Sequence, residues 1–428
     1  MKKNENNIEN YLIWEYLETP KKMKWENYQS NWEKSWGGSN KWEYGCCGIF
    51  INFIDKIYNI IQSKLFDKLY SKKKCGKLLF FAGTKYKNIL IETKKHYSIS
   101  LPVSGVKDRL FCIKYFMSYF SINKYRKLVY KYVNEKKVKH LYKLIDLIEI
   151  DLVNVKPKFI ILGNDSLPLE RALILVSKKI GIPTMVIQHG HYTSNLPLGD
   201  GKMADYILVW GKHFKDLYIE SGLRKPDDLY ILGYPVQIEK NNAVYKENNK
   251  HTVCYLGQKW EKYSNVLFEE KIYTIKKVND VCSKLGIDFI YRPHPGEDTD
   301  LINNKISHIK FTQKGEKLID TIKKNEIFIS FNSTALVEAF MHSKICIQLL
   351  SISLSVANFE KLGICNKTFE DIKELENYLR ILANSNSEEL NNFRKKFNND
   401  YIDITHEPSK RFLEILEDIK NKTNSQLD

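Results

Sequence analysis

The chain has 428 residues, of which 43% are hydrophobic, and this is enough apolar material for two or more folded domains and excludes a disordered protein. Lys and Arg number 67 against 51 Asp and Glu, so the formal net charge is +16, which suits nucleic acid, an anionic membrane face or an acidic substrate as partner. No apolar run approaches the roughly 20 residues that a membrane-spanning helix needs.

The eight cysteines show no disulfide spacing, which is typical of a protein in a reducing compartment. They form no Cys-x-x-Cys pair, which argues against a zinc ribbon or a thioredoxin-type site. Cys254 and Cys346 stand in apolar runs and are predicted to be small core residues. Because the N-terminus also lacks the apolar region of a signal peptide, we expect a cytoplasmic protein.

Residues 1–76 are predicted to form an aromatic and basic N-terminal extension, which carries five of the seven tryptophans. Within it, residues 49–74 have apolar side chains at steps of three and four and end in three lysines, which predicts an amphipathic helix. Such a helix can lie on an anionic membrane and would then place the protein peripherally on the inner face of the cell membrane. The commoner alternative is that its apolar stripe packs on its own domain.

Residues 77–238 are predicted to form a first Rossmann-like domain. Short apolar runs alternate with helical patterns, as parallel strands and their crossover helices do. The predicted strands cover 77–82, 157–162, 183–187, 204–210 and 229–232. Between the first two of these, residues 107–150 show a helical periodicity.

A polar, Asn-rich stretch at 239–251 is predicted to be a linker. It leads to a second Rossmann-like domain at 252–400 and then to a C-terminal helix at 401–428. The strands of the second domain are predicted at 252–256, 287–290, 309–311, 326–330 and 345–350. The predicted fold class is therefore α/β, with two doubly wound domains facing each other across a cleft and a helical N-terminal extension.

The first candidate site is Arg292-Pro293-His294-Pro295, which directly follows a predicted strand. Each proline fixes its own φ and pushes the preceding residue into an extended conformation, so His294 is held in a rigid loop. Ligands bind at the carboxyl ends of strands in open α/β sheets. Arg292 and His294 there favour an anion, most simply a phosphate, although a rigid loop with a surface histidine is the simpler interpretation.

The second candidate site is the turn at Ser333 and Thr334, between a predicted strand and a predicted helix. Backbone N–H groups and hydroxyls at a helix start can cradle an anion. Glu338, one turn further on, can accept a hydrogen bond from a ribose hydroxyl, and Gly257, which ends the first strand of this domain, is assigned to the same nucleotide site. A simple serine N-cap is the alternative, but two anion-suited strand ends in one domain favour a nucleotide-phosphate site.

Together with Gln188-His189-Gly190, these motifs resemble GT-B-fold bacterial glycosyltransferases of surface polysaccharide synthesis. The nearest likenesses are the sialyl-, polysialyl- and Kdo transferases, and the CDP-glycerol polyol phosphotransferases are more distant. The resemblance covers about residues 155–350. It implies a GT-B fold and a metal-independent inverting transferase that moves a sialic-acid-like sugar or Kdo from CMP to a glycan, glycolipid or glycoprotein.

The resemblance also implies roles for single residues. His294, helped by Arg292, and the pair Ser333-Thr334 would bind the donor phosphate, and Glu338 would hold the ribose. No cofactor is implied beyond the CMP-activated donor. No Asp-x-Asp stands at a predicted strand end, so no metal is expected either.

An inverting transfer needs a base that deprotonates the acceptor hydroxyl. Asp165, after a strand of the first domain, ranks first, and His189, one strand later, ranks second; a His–Asp pair acting together is the third option. In the resembling sialyltransferases the base is a carboxylate, and in the polyol transferases it is the histidine of the His-Gly motif. Asn164, Gln188 and His191 are candidates for the acceptor side.

Several alternatives stay open at this stage. Within enzymes they are polyol-phosphate transfer from CDP-glycerol and a UDP-sugar-using GT-B enzyme, including a 2-epimerase of the same architecture. A nucleic-acid-binding protein is supported by charge and aromatic content alone, so no nucleic-acid partner is expected. A membrane-docked scaffold built on the 49–74 helix is the remaining class. The expected partners are a nucleotide-sugar donor and a glycan, lipid-linked or protein acceptor.

Overall fold

The structure is a computed structural model that describes residues 8, 11–12, 55–61, 75–135, 137–190, 201–236, 252–306, 308–393 and 397–425. The Trp-rich part of the predicted extension and the predicted linker lie outside these residues. The chain divides into two compact units. The N-terminal unit holds the described residues up to 236 together with 402–425, and the C-terminal unit holds those from 252 to 401.

A parallel seven-stranded sheet forms the centre of the N-terminal unit. Its strands are β1 (Lys77–Phe80), β2 (Ser98–Val103), β3 (Ser118–Ser121), β4 (Phe159–Leu162), β5 (Thr184–Ile187), β6 (Tyr206–Val209) and β7 (Leu229–Ile231). They lie in the order β3-β2-β1-β4-β5-β6-β7, with Leu79 of β1 opposite Ile160 of β4. This order, which grows outward on both sides from β1 and β4, is that of a doubly wound sheet.

Strands β2 and β3 were not predicted. The β2 sequence alternates polar Ser98 and Ser100 with apolar residues and includes Pro102, so it contains no continuous apolar run. Strand β3 has only four residues, two of them serine, and lies inside the stretch where the sequence shows a helical period. Both strands are half-polar because they lie toward the edge of the sheet, where less apolar surface has to be buried.

Among the described residues, the helices that connect these strands are α1 (Lys87–Thr93), α2 (Val106–Lys114), α3 (Asn123–Glu135), α4 (Lys139–Val155), α5 (Pro168–Ile180) and α6 (Lys212–Glu220). Helix α5 has the predicted start and stop signals. Pro168 is in its first turn, and Gly181 ends it in the left-handed region with a φ of 74°.

The C-terminal unit is built on a second parallel sheet. Its strands are β8 (Thr252–Leu256), β9 (Asp288–Arg292), β10 (Ile327–Ser330), β11 (Ile345–Leu349) and β12 (Lys367–Phe369), in the order β12-β11-β10-β8-β9. Its helices are α7 (Asn265–Lys284), α8 (Thr299–Lys305), α9 (Leu318–Lys324), α10 (Thr334–Met341), α11 (Ile372–Asn384) and α12 (Ser387–Phe393). The strand predicted at 309–311 is wrong, because Phe311 forms an isolated bridge to Tyr291 and no strand.

The predicted burial of Cys254 and Cys346 is confirmed, since both residues are completely buried.

The last helix, α13 (Pro408–Ser425), belongs to the N-terminal unit. Its apolar side chains Phe412 and Ile415 join the core that contains Phe80 of β1. Glu417 accepts a hydrogen bond from Tyr97 OH at 2.9 Å.

The two doubly wound parallel sheets confirm the predicted α/β class with two Rossmann-like domains. None of the described helices is long and apolar enough to cross a membrane.

Candidate functional site

The C-terminal sheet has its topological switch point between β8 and β10, where ligands bind at the carboxyl ends of the strands. Gln258 follows β8 and Asn332 follows β10, and the side-chain amide of Gln258 donates a hydrogen bond to Asn332 Oδ1. Gly257 and Ser333-Thr334 therefore lie on either side of the switch point, and His294 follows the neighbouring strand β9. The structure brings these predicted residues to one edge of one sheet.

The His294 imidazole is set up as a neutral hydrogen-bond donor. The Gly296 N–H donates to His294 Nδ1 at 3.0 Å, so the proton of the neutral ring is on Nε2. Burial of the ring, and then the nearby charge of Lys259, lower the pKa of His294. As a whole the residue is exposed, so a ligand can reach it. The geometry suits donation from Nε2 to a phosphate oxygen.

Glu297 anchors the loop that carries His294. Its Oε2 accepts the His294 N–H at 2.5 Å, and its Oε1 accepts the Tyr291 hydroxyl at 2.6 Å. Lys271 Nζ is 2.7 Å from the same Oε1, and the Glu297 side chain is 0% exposed. Burial raises the pKa of Glu297, against the opposing effect of Lys271 and the other donors. The carboxylate thus fixes the backbone position of His294.

Lys271 links this anchor to the loop after β8. Its ammonium group lies 2.9 Å from Glu261 Oε2 and donates to the Gln258 carbonyl at 2.9 Å. The residue lies in the middle of α7 and is 0% exposed. A lysine is buried only where partners satisfy its charge, and here the partners are two carboxylates and one carbonyl. The loops after β8 and β9 are therefore tied to a single buried cation.

Gly257 has to be a glycine for reasons of space. A Cβ at this position would overlap Glu297 Oε2 and the Tyr291 hydroxyl. We expect Gly257→Ala to lower the free energy of unfolding by about 1–3 kcal/mol in denaturant titrations, because the anchor of the His294 loop must move. Gly296→Ala is the control, since its nearest contact would be His294 Nδ1 at 3.4 Å. Equal losses for the two variants would contradict this explanation.

Arg292 ends β9, and its side chain is engaged by groups of the protein itself. Its guanidinium donates from Nη1 to Thr321 Oγ1 at 2.7 Å and from Nη2 to the Glu316 carbonyl at 3.0 Å. Thr321 in turn donates to Glu316 Oε1 at 2.8 Å. These bonds hold the segment before α9 against β9. The geometry corrects the predicted phosphate contact: Arg292 supports the sheet edge, and His294 is the side chain that remains available to a ligand.

Ser333 and Thr334 form the start of α10, as predicted. Ser333 is the N-cap, and its Oγ accepts the Ala335 N–H at 3.2 Å. Thr334 is the first helical residue, and both residues are half-buried. Glu338 lies one turn further along the same helix and is half-buried too.

Within the described residues, no three His, Cys, Asp or Glu side chains are grouped as a metal site requires.

Asp165 is a structural carboxylate. Its Oδ1 accepts the Gly201 N–H at 2.7 Å, and its Oδ2 accepts the N–H groups of Met203 at 2.7 Å and Ala204 at 3.1 Å. The residue is 1% exposed. A carboxylate that is saturated by backbone donors and closed to solvent cannot reach an acceptor hydroxyl. The structure therefore argues against Asp165 as the base.

His189 is held at the end of β5 by the residue before it. Gln188 is 0% exposed, and its Oε1 accepts the Trp210 N–H at 2.8 Å while its Nε2 donates to the Gly190 carbonyl at 2.8 Å. Lys85 Nζ donates to the His189 carbonyl at 3.3 Å. The His189 residue itself is exposed. Gln188 is thus a positioning residue for the loop, and His189 is accessible to a substrate.

Two further acceptor-side candidates have different outcomes. Asn164 Oδ1 accepts the Leu167 N–H at 3.2 Å, which caps the turn before α5 and occupies that side chain locally. His191 lies outside the described residues. Asn164 follows β4, the strand next to β5, so it lies on the same edge of the N-terminal sheet as His189.

A second histidine, which was not predicted, lies on that edge of the N-terminal sheet. His406 Nδ1 lies 2.7 Å from Asp403 Oδ2, and the Asp403 N–H donates to the Trp210 carbonyl just after β6 at 2.7 Å. The pair is therefore fixed at the carboxyl end of the N-terminal sheet although it is about 200 residues away in the chain from β6. The sequence contains Asp and His three residues apart, but no local signal assigns them to this sheet.

Several solved structures have a fold similar to that of this chain. No protein-family model matches the chain, and no curated protein matches it. UDP-GlcNAc 2-epimerase from Methanocaldococcus jannaschii, solved with UDP-GlcNAc and UDP, is similar with a TM-score of 0.53 and 14% identity over 80% of this chain and 99% of that one. A second UDP-N-acetylglucosamine 2-epimerase structure gives 0.55 and 13% identity over 80% and 95%. The S. aureus MnaA structure with UDP gives 0.56 and 14% over 82% and 97%.

These likenesses show the GT-B fold, with its two Rossmann-like domains, for most of the chain. At such low identity they do not identify a donor sugar or a reaction. They show the predicted GT-B fold and give no specific support to the sialyl- and Kdo transferases.

Proposed function

We propose that this chain is a glycosyltransferase that uses a nucleotide-activated donor, and that the donor is a CMP-activated acidic sugar of the sialic-acid or Kdo type. The observation that carries the proposal is the neutral, accessible His294 at the same switch-point edge as the start of α10. An N–H donor, two hydroxyls and a helix N-terminus suit a phosphate group. The acceptor would be a glycan, a lipid-linked glycan or a glycoprotein.

In this proposal the C-terminal unit holds the phosphate that leaves with CMP. His294 Nε2–H donates to its oxygens, the hydroxyls of Ser333 and Thr334 add further donors, and the positive end of the α10 dipole lies beside them. These groups stabilise the negative charge that grows on the phosphate as the bond to the sugar breaks. Glu338, one turn into α10, is assigned to the ribose hydroxyls.

The base is assigned to His189. An inverting transfer requires a group that takes the proton of the acceptor hydroxyl while the hydroxyl oxygen attacks the sugar. His189 is exposed at the end of β5, and its loop is fixed by the Gln188 side chain. Asp165 is excluded from this role in the proposal because backbone N–H groups already occupy both of its oxygens.

A UDP-sugar is the second candidate donor. The observation that favours it is that similar structures of the same fold were solved with UDP or UDP-GlcNAc. The same switch-point edge would then have to hold two phosphates. The two candidates therefore differ in which nucleotide the C-terminal unit recognises, and this can be measured without knowing the acceptor.

A thermal-shift panel of CMP, CDP, UDP and GDP tests the donor class. We expect CMP to raise Tm most, because a ligand that binds only the folded state stabilises it, by about 2.7 kcal/mol at a hundred times its Kd. A larger shift with UDP would favour the second candidate. If none of the four nucleotides raises Tm, both donor assignments are wrong.

His294→Ala is expected to remove most of the nucleotide-induced shift and to leave the Tm of the free protein close to that of the wild type, because the residue is exposed. Because the neutral ring is the donating form and the pKa of His294 is lowered, the wild-type shift should persist at pH 7 and above, and the variant should lack it at the same pH. His96→Ala, which changes an exposed histidine of the N-terminal unit, is the control. An unchanged shift in His294→Ala would refute the phosphate assignment.

A further inference from the structure

Residues 55–61, the described part of the predicted 49–74 helix, dock on the N-terminal unit through polar groups. Asp55 Oδ2 is 3.1 Å from Arg109 Nε of α2, and Asp55 Oδ1 accepts the Tyr119 hydroxyl at 2.9 Å. Asn59 Nδ2 donates to the Tyr119 carbonyl at 2.8 Å, and the Tyr119 N–H donates to Asn59 Oδ1 at 3.2 Å. The Asn59 amide thereby pairs with β3, the edge strand. Tyr58 of the same helix packs on the core of the unit and stacks on Tyr119, whereas Ile57, Ile60 and Ile61 of the predicted stripe are not buried.

The apolar side chains of this helix face solvent instead. Ile57 is 42% exposed, Ile60 is 54% exposed and Ile61 is 49% exposed. Their spacing of three and four residues places them on one side of the helix, opposite the side of Asp55 and Asn59. Isolated exposed apolar residues are ordinary, but a continuous group of them marks an interaction site.

Helix α2 carries a second set of exposed apolar residues. Val106 is 62% exposed, Leu110 is 60% exposed and Ile113 is 38% exposed, and their spacing of four and three residues puts them on one face of α2. Phe116, just after the helix, is 51% exposed. The Tyr58 hydroxyl donates to the Cys112 carbonyl of α2 at 3.2 Å, so the two helices adjoin. We call this group the apolar surface; its members are Ile57, Ile60, Ile61, Val106, Leu110, Ile113 and Phe116.

Lysines accompany the apolar surface. Lys56 and Lys107 are exposed on the same two helices, and Lys114 is exposed at the end of α2. The Lys94 ammonium lies 5.4 Å from the centre of the Phe116 ring. The acid on α2, Asp108, accepts a hydrogen bond from Thr84 Oγ1 at 3.1 Å. The Asp55 carboxylate forms an ion pair with Arg109, so its charge is neutralised. The lysines therefore give the surroundings of the apolar surface a positive charge.

We propose that the apolar surface docks on an anionic lipid bilayer. Apolar side chains on one side of two adjoining helices enter the boundary between head groups and acyl chains, and lysines beside them meet the anionic head groups. Lysine suits this position because its stem covers apolar surface while its ammonium stays in the polar layer. The inference is independent of the donor and of the base assigned above.

The composition favours a bilayer over a protein partner. Protein interfaces are depleted in lysine relative to the rest of the surface, because burying an ammonium without a carboxylate is costly. Here lysines adjoin the apolar surface on both helices. A bilayer leaves them hydrated at the head groups, so the charge favours docking. A second copy of this chain would bring the same positive charges together.

Co-sedimentation of the full chain with vesicles tests the proposal. We expect binding to phosphatidylcholine vesicles that contain phosphatidylglycerol, little binding to pure phosphatidylcholine, and a loss of binding as salt is raised. The double variants Val106→Ser with Leu110→Ser, and Lys56→Glu with Lys107→Glu, are each expected to lower the partition coefficient about tenfold or more. Unfolding curves like that of the wild type would show that these exposed positions leave the fold intact.

Two matched control variants separate the apolar surface from general effects. Ile150→Ser with Val153→Ser removes apolar residues that are 58% and 51% exposed on α4, and it should bind vesicles as the wild type does. Lys276→Glu with Lys277→Glu makes the same change of net charge on α7 and should also retain binding. The proposal is overturned if the wild type does not bind anionic vesicles or if the surface variants bind as well as their controls. A change from dimer to monomer in the apolar variant, without loss of vesicle binding, would assign the surface to a second copy.

Discussion

Replacing Lys271 with methionine is expected to lower the free energy of unfolding by about 3–5 kcal/mol, measured by denaturant titration at neutral pH. The change leaves the carboxylates of Glu261 and Glu297 without the cation that lies 2.9 Å and 2.7 Å from them. The Lys271 side chain is 1% exposed, so water cannot replace the ammonium without opening the structure. Methionine keeps most of the apolar stem, and the loss therefore reports the buried charges.

Lys284→Met on the same helix is the control for this prediction. Lys284 lies 2.6 Å from Glu376, but its side chain is 63% exposed, so the pair is expected to contribute less than about 1 kcal/mol. A loss in Lys271→Met no larger than in Lys284→Met would show that the buried cluster does not stabilise the unit. Because Glu297 fixes the His294 loop, Lys271→Met should also reduce the nucleotide-induced rise in Tm, and Lys284→Met should not.

The sequence predicts the positions of His294 and of Ser333-Thr334 because their signals are local. Two prolines around a histidine define a rigid loop, and Ser followed by a helical pattern defines a helix start. The sequence does not predict that Glu297, three residues after His294, turns back to bind its N–H. That contact depends on Lys271, which a helical pattern alone would place on a solvated face as readily as in the core.

The position of a residue at a strand end does not decide whether Asp165 or His189 is the better candidate for the base. Both residues follow central strands of the N-terminal sheet, and sequence position gives them equal access to a ligand. What separates them is the loop at 201–204, whose N–H groups occupy the Asp165 carboxylate from 36 or more residues away in the chain. A contact of that range leaves no periodicity or motif in the sequence.

The strands that are buried at every residue were predicted, and the strands that were missed are partly exposed and rich in polar residues. Strands β4 and β5 are buried at every residue and appear in the sequence as continuous apolar runs. Strands β2, β3 and β12 contain serine, proline or lysine, because they lie at or next to a sheet edge. Edge strands with several polar residues resemble loops in sequence, whereas the edge strands β7 and β9 keep apolar residues and were predicted.

Replacing His189 with asparagine is expected to lower kcat roughly 10²–10⁴-fold, which is the usual contribution of a general base. Asparagine can keep a polar contact in the loop but cannot take a proton. The loop itself should persist, because Gln188 holds it through Trp210 and Gly190 rather than through the imidazole. Release of the nucleotide is the measure of turnover, and the Tm shift with the same nucleotide should equal that of the wild type.

Asp165→Asn separates a chemical role from a structural one. Its amide nitrogen would face backbone N–H donors of the 201–204 loop, so we expect a stability loss of about 1–3 kcal/mol and little loss of turnover per folded molecule. The two variants should therefore show opposite effects relative to the wild type. His189→Asn should keep the wild-type Tm with a lower kcat, whereas Asp165→Asn should have a lower Tm and keep the wild-type kcat. If Asp165→Asn is folded and inactive while His189→Asn is active, the carboxylate is the base, and the loop that covers it must open during turnover.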